Sequence, residues 1–167
     1  MRMGWIVLAL VGATAAGCTT RGGNTIQGLA ADLARGARVD EVVLVRGPDG
    51  VGDGFASRFQ ARVKDQLANC ATGATPLRAE ITVSEFKRAN PALAYLADAS
   101  RIGGEVKLVG ADGATVGAYT ISRAFRAPGV VGVAMTFQAE QQMSAAFADE
   151  LCARAFGVGD AGQQAGS

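Results

Sequence analysis

The chain of 167 residues contains no histidine. A Ser-His-Asp triad and a Cys-His pair both need an imidazole to take the nucleophile's proton, so both are excluded. Imidazole metal ligands are excluded too, along with the one side chain that ordinarily titrates near neutrality. Charge of one sign is also in short supply, with 16 Lys and Arg against 15 Asp and Glu. A chain so balanced exerts no long-range pull on nucleic acid or on anionic lipid, and no nucleic-acid partner is expected. Long apolar runs are missing: the stretch Trp5 to Val11 falls short of the roughly 20 residues that a spanning helix needs. There is no internal repeat. The glycine-rich loop Gly47 to Gly54 holds neither G-x-x-x-x-G-K-[ST] nor G-x-G-x-x-G in register, and its Asp49 and Asp53 would repel a phosphate. Those two carboxylates lack the ligand spacing of an EF-hand. No carboxylate pair or serine-lysine dyad stands out, so neither an enzyme nor a cofactor or metal is expected.

What is present begins at the amino terminus. Met1-Arg2-Met3 is a short basic start, Trp5 to Val11 is apolar, and the small residues Ala13-Thr14-Ala15-Ala16-Gly17 lead into Cys18. That order is a secretory signal peptide, and Ala16-Gly17-Cys18 resembles the lipobox of bacterial lipoproteins. The resemblance implies that the Cys18 sulfur accepts a diacylglyceryl group, after which a dedicated peptidase cuts before the cysteine. Ordinary cleavage after Ala13-Thr14-Ala15, leaving a bare thiol at Cys18, and an uncleaved anchor are the competing readings. With each buried methylene contributing about 0.8 kcal/mol, three acyl chains would hold the protein permanently. In the lipoprotein family an aspartate after the cysteine retains the protein in the inner membrane, so Thr19 implies the outer membrane, facing the periplasm. Removing residues 1–17 takes Arg2 with it and leaves 150 residues, with 15 charges of each sign. That is enough for one domain with a real core. The expected plan is a signal over 1–17, a lipidated polar tether over 18–24, a domain over 25–156 and a disordered, glycine-rich tail over 157–167.

Within the domain, Ile26, Leu29, Ala30 and Leu33 have helical spacing and predict a short amphipathic helix from Thr25 to Arg35, ending at Gly36. Glu41 to Arg46 reads as a buried strand. Asp53 is placed to cap a helix through Asn69, with Phe55, Phe59, Val63 and Leu67 as its core stripe. Ala79, Ile81 and Val83 alternate with polar residues, as do Ile102, Gly104, Val106 and Leu108, and a further strand runs from about Thr115 to Phe125. Met143, Phe147 and Leu151 mark a last helix over about Gln138 to Phe156, stopped by Gly157. The expected fold class is α+β: a two-layer β-α-β-β-β-α sandwich, a four-stranded mixed sheet with two helices on one face and the short extra helix in front. A parallel first crossover and an antiparallel meander complete the plan.

Cys70 and Cys152 lie near the ends of the two long helices. In an oxidising periplasm they are expected to pair with each other, the alternatives being free thiols or a two-cysteine zinc site with carboxylates. Lys87, Arg88 and Arg101 bracket a connection that is long for a meander and carries Tyr95, giving a candidate partner-docking loop against the plainer reading of solvated charges. Ala127 to Phe137 is the least polar stretch of the domain, and is expected to be a buried connection into the last helix, the alternatives being one strand of an oligomeric barrel, a dip into the leaflet or a contact with a partner.

This order of elements behind a lipobox is similar to small uncharacterised bacterial envelope lipoproteins. Their domain resembles the amino-terminal domain of the Tol-system β-propeller protein and the periplasmic part of the curli-secretion lipoprotein. The resemblance covers about Asp40 to Phe156 and transfers no functional residue. It implies a lipid-anchored adaptor or structural component with an envelope protein as partner; a periplasmic carrier of an apolar ligand is the alternative.

Overall fold

Alternation of apolar and polar residues produces the central strands. The computed structural model describes residues 18–90, 93, 98–126 and 138–157. In chain order the elements are β1 (Cys18–Gly22), β2 (Thr25–Gln27), α1 (Ala31–Gly36), β3 (Ala37–Arg46), α2 (Phe55–Leu67), β4 (Thr75–Lys87), β5 (Ser100–Val109), β6 (Thr115–Arg126) and α3 (Ala139–Phe156). The fold is mixed α+β, but the sheet has six strands rather than four, in the order β1-β6-β5-β4-β3 with β2 also paired to β6. β3 and β4 are parallel, joined by the α2 crossover, and β4, β5 and β6 form an antiparallel meander.

The two additional strands come from the segment expected as a tether and from the first turn of the expected N-terminal helix. Residues 18–22 pair antiparallel with β6, from Cys18 opposite Arg126 to Gly22 opposite Ser122. Thr25–Gln27 pairs further along the same strand, so helix begins only at Ala31 and runs for six residues. Leu29 and Leu33 still pack against the core, as their spacing predicts. What fixes this segment in place is Tyr119: its buried hydroxyl accepts the Leu29 N–H at 2.8 Å. Burial raises the pKa of that phenol, and the Leu29 hydrogen bond acts in the opposite direction.

Both long helices lie on one face. Phe55, Phe59, Val63 and Leu67 of α2 and Met143, Phe147 and Leu151 of α3 are buried against Ile81, Ile102, Leu108, Tyr119 and Ile121 of the sheet. Phe59 is the hub, stacked on Phe55 at 5.6 Å and edge-on to Phe147 at 5.7 Å between ring centroids. Each fully buried side chain of this size contributes about 1.5–3 kcal/mol. The α2 cap differs from expectation: Gly54, in the left-handed region, precedes the helix, and no side chain caps it. Asp53 contributes its backbone carbonyl to Arg58 instead.

Gly104 sits where a side chain has no room. A Cβ there would lie 2.3 Å from the Thr82 carbonyl oxygen, beside the irregularity between Val83 and Glu85 of β4. The outer edge, β3, is met by helix α2, where the Gln60 side-chain oxygen accepts the Leu44 N–H at 2.9 Å.

Candidate functional site

The candidate docking residues lie at the end of the sheet where β4 finishes and β5 begins. Register places Lys87 directly opposite Arg101. Lys87 Nζ donates to Asp98 at 2.9 Å. The same carboxylate accepts the Asn90 N–H and the Ala99 N–H, each at 2.9 Å. The Asn90 backbone bond, then the Lys87 side-chain bond, hold the Asp98 pKa down to about 2. Ser100 Oγ accepts the Ala89 N–H, closing the base of the connection. Lys87 is thus a brace across the loop.

Arg88 turns toward the helices. It donates to Glu140 in the first turn of α3 at 3.0 Å, and Arg58 of α2 binds the other oxygen of that carboxylate at 2.7 Å. The Arg88 guanidinium also stands 5.8 Å from the centre of the Phe86 ring. The structure therefore brings Lys87 and Arg101 together and sends Arg88 elsewhere. Arg101 is exposed, with no carboxylate partner among the described residues. Tyr95 and the stretch 127–137 lie outside the described residues, as does the signal over 1–17.

At the far end of the helix layer Cys70 and Cys152 form a disulfide, their Cα atoms 5.8 Å apart. It joins the ends of α2 and α3. Nearby is a buried cluster that the sequence did not single out. Glu150 accepts from Arg123 at 3.0 Å and from Arg154 at 2.8 Å, with Arg21 of β1 at 3.8 Å. The Glu150 and Arg123 side chains are only 5% and 9% exposed. Strand alternation offers the one available signal, since Arg123 follows Tyr119 and Ile121 on the inward-facing side of β6. With both oxygens occupied by arginines, Glu150 ties β1, β6 and α3 together.

A groove of about 420 Å³ runs between β6 and α3, lined by Arg62, Arg123, Phe125, Gln142, Met143 and Asp149 among others. That lining mixes charge and amide with apolar surface. Among the described residues, no three cysteine, aspartate or glutamate side chains gather in a way that could hold a metal ion. No helix among them is long and apolar enough to cross a membrane.

This layering of a mixed sheet under two helices is found in solved structures. The fold resembles that of PelC. The PelC dodecamer from Paraburkholderia phytofirmans overlays with a TM-score of 0.52 at 14% identity, covering 83% of this chain and 99% of that one. A single-substitution variant of that protein, also a dodecamer, gives 0.50 at 14% identity over 83% and 98% of the two chains. A provisionally named lipoprotein from Caulobacter crescentus CB15 gives a looser overlay, with a TM-score of 0.41 at 15% identity over 63% of this chain and 83% of that one. No protein-family model matches the chain, and no curated protein matches it in sequence.

Proposed function

We propose that this chain is a lipid-anchored lipoprotein of the outer membrane, facing the periplasm, and that it serves as a non-enzymatic adaptor or structural component of an envelope assembly. The observation that carries the reading is the order basic start, apolar run, small residues, Cys18. The fold supports it in one respect. Cys18 opens an edge strand of the sheet, so a lipid on that residue would moor the domain itself rather than a loose tail. The lack of histidine, and the engagement of Lys87 with Asp98, Arg88 with Glu140 and Arg123 with Glu150, support the non-enzymatic reading.

The PelC structures that share the fold are dodecamers, which makes self-association the first form of assembly to test. Mass spectrometry of the mature amino terminus is expected to find Cys18 acylated; a bare cysteine overturns the anchor. Crosslinking of the native protein in its envelope is expected to yield multiples of its own mass or a defined envelope partner. Recovery as a monomer alone overturns the assembly role.

A further inference from the structure

We propose that the open face of the sheet, at its β1 end, seats on the anionic headgroups of the membrane that holds the protein, through Arg101 and Arg126. This inference rests on the lipid anchor proposed above.

Register puts Thr20, Ala124 and Arg101 in one row across β1, β6 and β5, and Gly22, Ser122 and Gly103 in the next. Because Arg123 points inward to Glu150, the side chains of Ser122, Ala124 and Arg126 belong to the face opposite the helices. On that face lies a hollow of about 270 Å³, lined by Thr20, Arg21, Arg101, Ser122, Ala124 and Arg126 among others. Its lining contains three arginines, of which Arg21 also reaches Glu150, and the hydroxyl residues Thr20 and Ser122, with no acidic residue; Arg101 and Arg126 are exposed, and Glu85 stands opposite Gly103 in the adjoining row. Neither Arg101 nor Arg126 has a carboxylate partner among the described residues. Elsewhere on this face, by contrast, Arg78 is paired with Glu80 and Lys87 with Asp98.

The occupant follows from where Cys18 sits. It is opposite Arg126 in the β1–β6 ladder, and directly opposed residues in antiparallel strands have Cα atoms about 4.5–5.5 Å apart. With residues 18–22 built into the sheet, no slack separates an acylated Cys18 from the domain. The hollow is thereby carried to the depth of the headgroups, where planar guanidinium groups match phosphate bidentately. Near-zero net charge is no obstacle, because the acyl chains bring the surface to the bilayer and the arginines act only over a Debye length.

The test uses the acylated full-length mature protein in vesicles of phosphatidylcholine, alone or with phosphatidylglycerol. Phenylglyoxal modifies accessible arginines, and peptide mass spectrometry reads the rate at each one. A basic side chain at an anionic surface gains roughly a factor of five in occupancy, so Arg101 and Arg126 are expected to react about five-fold more slowly in the phosphatidylglycerol vesicles. Arg35, at the other end of the sheet in α1, is expected to keep its rate. Arg101→Gln, at an exposed position, is expected to return Arg126 toward its rate in phosphatidylcholine. Unchanged rates at Arg101 and Arg126 on an acylated protein overturn the seating alone. A bare Cys18 in the same digest overturns the anchor and the seating with it. Equal protection by inorganic phosphate in detergent identifies a free-anion site and overturns the membrane as its source. Protection found only in native envelopes identifies a protein partner and overturns it likewise.

Discussion

The two faces of the sheet are built from the same strands and do different work. The helix-covered face holds Phe59, Ile81, Ile102, Leu108, Tyr119 and Phe147, all fully buried, and it also holds the disulfide and the buried Glu150–Arg123 pair. The open face carries Arg78, Glu80, Lys87, Arg101 and Arg126, joined at most by solvent-exposed pairs. Alternation along each strand assigns a residue to one face or the other. Stability is therefore concentrated on one side of the sheet.

That contrast makes the following substitutions informative, in descending order of effect. The disulfide closes a separation of 82 residues, worth about 4–5 kcal/mol in the chain-entropy account. Replacing Cys70 and Cys152 together by alanine is expected to lower the urea midpoint accordingly; an unchanged midpoint would show that the bond adds nothing. Phe147→Ala, at a fully buried position against Phe59, is expected to cost about 4 kcal/mol, again by urea denaturation. Glu150→Ala leaves Arg123 buried without its counter-ion, at an expected cost of about 3 kcal/mol; restoring stability with a further Arg123→Leu change would support that cause.

Asp98 tests the opposite regime. Its folded pKa of about 2 lies below the usual carboxylate value near 4. The unfolded chain therefore binds the proton more readily, so the contribution of Asp98 is fully present above about pH 4 and is lost as pH falls toward 2. Asp98→Asn is expected to be less stable than the parent at pH 7, with the gap between their melting temperatures closing at pH 2. A gap that persisted there would reject the Lys87 and Asn90 bonds as its origin. Smallest of all, Arg78→Ala removes an exposed pair with Glu80 and is expected to change stability by less than about 0.5 kcal/mol.

Periodicity made most of the sheet and both long helices legible. The stripe Phe55, Phe59, Val63 and Leu67 is buried as its spacing predicts, and so are Met143, Phe147 and Leu151. These signals are strong because one side of each element must leave water. β1 and β2 gave no such signal. Thr19, Thr20 and Arg21 are polar and Ile26 is exposed, so their strand character comes from the ladder that β6 offers and not from their own pattern. The helix expected over Thr25 to Arg35 is shortened to Ala31–Gly36 for the same reason: Thr25 and Gln27 pair with β6.

The charges at the candidate docking loop were legible, but their partners were not. Charge in a sequence does not reveal its partner, and Asp98 and Glu140, the acceptors that occupy Lys87 and Arg88, lie 11 and 52 residues away in the chain. Arg101 and Arg126 acquire their common setting only through the pairing of β5 with β6. Glu150 escaped notice because nothing local to α3 marks a glutamate as buried, and only the tertiary arrival of Arg123 makes its charge tolerable there.

The Gln60 side chain bears on which border of the sheet is open to another chain. A sheet ends in a row of amide groups that any passing extended chain can zip onto. On the β3 border a glutamine reaches over from the helix and plugs one of those sockets, and Arg38, Asp40 and Glu41 fence the same border with charge. An intruding strand would first have to evict the plug and then strip water from the fence, which steers any self-recognition toward other parts of the surface.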